Sequence, residues 1–258
     1  MTENEIRLKC SARYFGKKIF YYESIDSTNS IAKSLAREGG EEGTLVVAEE
    51  QIAGKGRLGR SWQSEKGKNL TFSLILQPQI SHTHIGIVSL FAGVAVCDAI
   101  RESTGIAAEC KWPNDVLIRG KKVCGILSEI VHPNETQISI IVGVGVNINQ
   151  ALFPEEIKNK ATSLFLATGK EQDCADILFN ILEQMELLYT FVQNNQYLMI
   201  IDRWKDLSNV IDKEVRVDCS GTILTGIAKG IMDDGGLLLE TISGPVTVYA
   251  GDVTLQKE

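Results

Sequence analysis

Apolar residues along the chain recur in two rhythms. Residues 19–24 (IFYYES), 44–48 (TLVVA) and 70–76 (LTFSLIL) are short aliphatic and aromatic runs that read as strands, the second as a buried one. Between the first two, Ile31 and Leu35, with Ala32 and Ala36, share one helical face. Ser27 or Thr28 is placed to cap that helix and Gly39-Gly40 to end it. Residues 85–103 set Ile85, Val88, Leu90, Phe91, Val94, Ala95 and Ile100 at the spacing of a core helix. Strands follow at 115–119, 122–131 and 137–147, the first two joined by a tight Arg119-Gly120-Lys121 turn. A helical region from about 173 to 205 carries Ile177, Ile181, Leu182, Met185, Leu188 and Val192 on one side. After Asn209 the rhythm shortens to alternating runs across 213–257, broken by Gly and Asp-Gly turns. That is the pattern of a small antiparallel β-barrel or sandwich, and it puts a boundary near 210. One polar, glycine-rich stretch from Glu49 to Asn69 fits no element. At about twenty residues it is long enough to suggest a functional or disordered loop.

Composition narrows the class. A chain of 258 residues, 44% hydrophobic and 23% charged, is ordinary globular material, enough for one large domain or a medium one with a small companion. Its 26 Lys+Arg against 33 Asp+Glu leave a net charge of −7, so a general nucleic-acid coat is excluded and no nucleic-acid partner is expected. No unbroken apolar run reaches about 18 residues, and the opening MTENEIRLKC has no secretory core, so neither a membrane span nor export is expected. Cys10, Cys97, Cys110, Cys124, Cys174 and Cys219 stand singly, without C-x-x-C spacing, and the three histidines add no H-x-x-x-H pair. They read as reduced thiols of a cytoplasmic protein without a protein-built metal site.

Four stretches carry candidate chemistry. Gly54-Lys55-Gly56-Arg57-Leu58-Gly59-Arg60 concentrates three positive charges and three glycines on an acidic chain. Mobile backbone amides and guanidinium forks suit a phosphate or carboxylate, although a solvated loop would look the same. It is not a Walker loop, since Arg60-Ser61 follows the second glycine, and its literal G-x-G-x-x-G lacks the strand–helix flanks of a dinucleotide site. Lys111-Trp112-Pro113-Asn114-Asp115 leads into Gly120-Lys121-Lys122-Val123-Cys124-Gly125-Ile126. Asp115 and Lys122, on either side of a tight turn, can converge on one small space. There a lysine could neutralise attacked anions and an aspartate could take a proton from an amine; a plain hairpin with surface lysines fits equally well. Ser27-Thr28-Asn29 is either a helix cap or a polar ligand contact. Gly143 to Asn149 (GVGVNIN) is either a bulge or a strand end that lets a ligand approach the backbone.

Taken in order, Ser27-Thr28-Asn29, Glu49-Glu50-Gln51 before GKGRLGR, Trp62, KWPND, GKKVCGI and GVGVNIN resemble the biotin protein ligases, over essentially the whole chain from Ile19. The resemblance implies an α+β fold: a mixed central sheet with flanking helices, related to class II synthetases, over residues 1–209, and an SH3-like β-barrel over 210–258. It also implies a two-step reaction, in which biotin and MgATP give biotinyl-AMP and an acceptor lysine on a biotin carboxyl carrier domain then takes the biotin. No prosthetic group is implied, and a homodimer is compatible with it. Carried over by position, Ser27, Thr28, Asn29 and Gln51 resemble the contacts to the biotin ring, and Gly54, Lys55, Gly56, Arg57 and Arg60 the loop over the adenylate, with Arg57 central. Trp62 resembles the shielding tryptophan, Lys122 the lysine on carboxylate and phosphate, and Gly125 the glycine beneath biotin. Asp115 resembles the carboxylate that helps deprotonate the acceptor lysine. Lys111 and Asn114 are expected to brace the pocket or contact the nucleotide, and Asn147 to stand near the adenine or in its supporting shell.

Lys55 departs from the arginine common in the family, and Leu58 from a frequent basic residue. A lysine offers a point charge without the planar fork, so Lys55 is read as a charge contact. Only 26 residues precede Ser27, too few for the winged DNA-binding domain of bifunctional members, so no repressor activity is expected. The rivals are a lipoate ligase, a sensing module without turnover and, remotely, a dinucleotide-dependent dehydrogenase.

Overall fold

The computed structural model describes residues 1–10, 14–134 and 137–256. Seven strands make the main sheet: β1 (Ile19–Tyr22), β2 (Leu45–Ala48), β3 (Asn69–Leu76), β4 (Glu109–Lys111), β5 (Asp115–Ile118), β6 (Lys121–Val131) and β7 (Ser139–Asn147). Their order is β1-β2-β3-β7-β6-β5-β4, parallel between β1 and β2 and antiparallel elsewhere. Among the described residues six α-helices accompany them: α1 (Glu3–Cys10), α2 (Thr28–Arg37), α3 (Gly86–Thr104), α4 (Leu164–Thr168), α5 (Cys174–Gln193) and α6 (Tyr197–Leu207).

Each strand alternates its side chains between two faces, and on β2, β3 and β7 both faces are covered. On β3, Leu70, Phe72, Leu74 and Leu76 join the large core around α3, α5 and α6. Ile75 faces the other way with Val46, Val131 and Ile141, against Ala32 and Ala36 of α2. Every residue of β3 is buried, so the polar Asn69, Thr71 and Ser73 on the α2 face are buried too. Register carries this face across the sheet: Thr71 pairs with Gly145, Gly145 with Gly125, and Gly125 with Asp115. A row of small residues thus ends at a carboxylate.

Several expectations need correction. The region 173–205 is two helices, because Asn195 turns the chain with a left-handed φ of 57°, a conformation that asparagine tolerates better than most residues. The short α1, α4 and β4 carry too few apolar positions to register as periodic. The stretch His82–Thr104 is long and apolar enough to cross a membrane by length and composition alone. It is a core helix, with Ile87, Val88, Phe91, Val94 and Val96 fully buried.

The C-terminal unit has β8 (Glu214–Cys219), β9 (Thr222–Ile231), β10 (Leu237–Thr241), β11 (Gly244–Val248) and β12 (Asp252–Leu255), all antiparallel in the order β11-β10-β9-β8-β12. Among the described residues β11 and β12 do not pair, so the sheet is open rather than the closed barrel expected. Its buried Val215, Val217, Ala228, Leu237 and Leu239 are continuous with the main core.

Candidate active site

The glycine row forms the floor of a cavity of about 120 Å³. Ser27, Thr28, Asn29, Gln51, Lys55, Gly56, Arg57, Arg60, Trp62, Asn114, Asp115, Lys122 and Gly125 all line it, brought together from α2, the 49–69 loop and the β5–β6 hairpin. Three of the singled-out residues do not. Gly54 lies at the base of the loop, where an added Cβ would stand 2.4 Å from the Trp62 carbonyl oxygen. Lys111 sits on the edge strand β4 opposite Asp115, outside the lining. Asn147 is buried and donates to the Thr162 carbonyl at 3.0 Å. It braces the segment whose backbone bonds Lys122 on both sides, Lys122 N to Lys160 O at 2.8 Å and Thr162 N to Lys122 O at 2.9 Å.

One wall is built from hydrogen-bond acceptors. Gln51 Oε1 accepts from the Thr28 amide at 2.8 Å, and Asn29 Nδ2 donates to Leu127 O at 3.2 Å and to Glu129 at 2.9 Å. Those partners fix both amides with their oxygens toward Thr28 Oγ1 and Ser73 Oγ. The links Gln51–Thr28 (3.1 Å), Thr28–Ser73 (2.8 Å) and Ser73–Asn29 (2.6 Å) then share only the two hydroxyl protons. Three contacts and two protons leave acceptor capacity for an N–H from outside. Ser27, at the start of α2, is buried and makes no side-chain cap bond, which decides against simple capping.

The opposite end is cationic. Lys122 Nζ stands 2.5 Å from Asp115 Oδ1 and 5.8 Å from the centre of the Trp62 ring. Among the described residues Asp115 Oδ1 is nonetheless buried without a directed hydrogen bond, so proximity of charge holds the pair. Trp62 lies on the floor: a Cβ at Gly145 would come within 2.4 Å of its ring and one at Gly125 within 3.0 Å. Its Nε1–H is buried with no acceptor among the described residues. Residues 54–62 fold back as a small hairpin, with Gly56 N bonded to Arg60 O at 2.7 Å and Trp62 N to Gly54 O at 2.9 Å. Leu58 at its tip is exposed, with a left-handed φ of 55°. Arg57 donates to Asn114 Oδ1 at 3.1 Å, and burial holds its guanidinium below the ordinary value against the pull of Asp252 and Asp115. Arg60 reaches Asp252 of the C-terminal unit at 2.9 Å, and Lys55 donates to Ser30 Oγ at 2.9 Å.

Sequence reasoning missed Ser73, Glu129 and Asp252. The first two sit among apolar neighbours on strands, and Asp252 is nearly two hundred residues from the loop it meets. The signal for Ser73 was the polar alternation of β3 inside a run otherwise too apolar to face water.

Comparison with known proteins identifies the family. Residues 21–147 match a sequence model of the biotin/lipoate A/B protein ligase family, and 210–255 match one of the biotin protein ligase C terminal domain. The bifunctional ligase/repressor BirA of Bacillus subtilis is 38% identical over 99% of this chain and 79% of its own length. The chain belongs to the biotin/lipoate A/B protein ligase family. Another relative, the biotin–[acetyl-CoA-carboxylase] ligase of Mycobacterium tuberculosis, is 35% identical over 88% of this chain and 85% of its own. Among solved structures, the biotin protein ligase from Aquifex aeolicus in complex with biotin and ATP superposes with a TM-score of 0.82 at 31% identity, covering 94% of this chain and all of the other.

Proposed function

We propose that this chain is an ATP-dependent biotin–protein ligase. The biotin carboxylate attacks the α-phosphorus of ATP, giving biotinyl-5'-AMP and pyrophosphate. The ε-amine of a carrier lysine then attacks the acyl carbon, forming the amide and releasing AMP. The observation that carries the reading is the polarity of the cavity: proton-poor acceptors at one end, Lys122 and Arg57 at the other, with the glycine floor between. A cyclic urea supplies the N–H donors that the Thr28–Ser73–Asn29 chain lacks. Dithiolane rings supply none, which disfavours lipoate.

In this reading Lys122 neutralises the carboxylate and phosphate oxygens as two anions are brought together, and Arg57 stabilises charge on the phosphate. Asp115 accepts the proton lost by the acceptor amine, and Trp62 covers the anhydride and finds in a ligand oxygen the acceptor its N–H now lacks. Arg60, Lys55 and Gly56 complete the loop over the nucleotide. Asn114 steadies Arg57, while Asn147 steadies Lys122 from behind. Magnesium arrives with ATP and is held chiefly by phosphates. We assign residues 1–209 to the catalytic unit and 210–258 to the C-terminal unit, in a cytoplasmic enzyme. The acceptor is a biotin carboxyl carrier domain docking by strand addition at an edge of the main sheet.

The deciding experiment is mass spectrometry of a purified carrier domain incubated with the protein, biotin and MgATP. A biotin-sized mass gain is expected with wild type, slowed by about 100-fold or more in Lys122→Ala through loss of a charge-stabilising group. Retained biotin binding without any gain would overturn the ligase reading.

A further inference from the structure

Behind the acceptor wall lies a charged pair that no step above uses. Glu129 on β6 accepts from Asn29 Nδ2 at 2.9 Å with one carboxylate oxygen and from Lys33 Nζ at 2.7 Å with the other. The side chains are 28% and 21% exposed, so the pair is mostly withdrawn from water, and neither lines the cavity. It joins the sheet to α2, yet the first residue it meets there is Asn29, whose other side faces Ser73.

An asparagine amide can be turned in two ways. As it stands, its oxygen extends the chain of acceptors and its NH2 group bonds Leu127 O and Glu129. Turned over, its oxygen would face a carbonyl and a carboxylate, acceptor against acceptor, in a partly desolvated place where such repulsion is strong. Burial pushes the Glu129 carboxyl up, but the bonds from Lys33 and Asn29 and the charges of Lys33 and Lys55 outweigh it, so the group lies below its ordinary value and is ionised. Asn29 therefore has one allowed orientation.

We infer that Glu129 is a positioning residue that sets ring specificity: by holding the Asn29 NH2 group it fixes the pocket as an acceptor and so selects a ligand ring that donates N–H. The inference rests on the ligase reading above. Replacement by glutamine relaxes the constraint, leaving only the Leu127 carbonyl against the turned amide, because a glutamine NH2 can face the Asn29 oxygen.

The test uses the full chain and biotin-dependent pyrophosphate release from MgATP, with Glu129→Gln and Lys33→Met beside wild type. Loss of a hydrogen bond that directs a ligand contact is expected to raise KM for biotin about tenfold or more in Glu129→Gln, with kcat and KM for ATP near wild type. Selection of biotin over lipoate should fall by a similar factor, while the thermal transition holds. Lys33→Met keeps the carboxylate and should show a smaller rise in KM for biotin; it also serves if Glu129→Gln does not fold. Unchanged KM and selectivity in Glu129→Gln, or kcat and both KM values worsening together, would overturn the inference while wild type still turns over. No biotin-dependent release by wild type would instead remove the ligase reading on which it stands.

Discussion

At the scale of single residues, the site depends on side chains that are not there. A Cβ at Gly143 would lie 2.0 Å from Asn29 Oδ1, and one at Gly145 would enter the Trp62 ring. Gly145→Ala should therefore cut biotin transfer by about 100-fold, since misplacement near 1 Å suffices for that, while overpacking costs only about 1–3 kcal/mol of stability. Gly143→Ala should raise KM for biotin by displacing Asn29; paired kinetics and urea melts check both, and wild-type kinetics in either would refute the crowding argument. The thiols make a second prediction. Burial pushes Cys124 well up; Cys110 is raised by burial and by its bond with Cys97, and burial lifts Cys174 from 9.0 to about 11. The folded state thus keeps protons that the unfolded chain releases. Stability is complete below pH 9 and should fall as pH rises toward 11, and Cys110 and Cys124 should resist alkylation at pH 8. Melts across that window, with mass mapping of alkylated thiols, would show it.

At the scale of elements, the start of α2 separates stability from binding. Ser27 holds the cap position without making the cap bond, so Ser27→Ala should cost well under the ~1 kcal/mol of an ordinary cap yet raise KM for biotin. A full cap-sized loss in denaturant would refute the assignment. The same region shows what sequence could and could not tell. Leu70, Phe72 and Leu74 declared a strand, Val88 to Ile100 a core helix, and the glycines and basic residues of 54–60 a loop with anion chemistry, because each signal is local. Whether Ser73 faces water or a buried wall is not local, since it depends on α2 covering that face of β3. The break at Asn195 was missed because apolar spacing runs on through it, and one left-handed residue leaves no periodic trace. Lys111 and Asn147 sit in the right stretches but do not line the cavity, a matter of register that motif order does not record.

At the scale of the whole molecule, two threads tie the C-terminal unit to the site. Trp112, in the segment that presents Asn114 and Asp115, donates from Nε1 to the Gly235 carbonyl at 3.1 Å inside the core. Trp112→Phe strands that carbonyl and should lower stability by about 1–3 kcal/mol, read as an earlier denaturant midpoint. An unshifted midpoint would mean that the bond contributes nothing. The other thread is the Arg60–Asp252 pair, whose partners are about half exposed, so its removal should change stability by less than about 1 kcal/mol. Its importance is temporal. Arg60 leaves the ribosome 192 residues before Asp252, a wait of roughly 10–40 s at ordinary rates of synthesis. Through that interval the nascent chain carries a basic, glycine-rich hairpin without the carboxylate that meets it, so the tie across the nucleotide loop is made only when the final strand is in place.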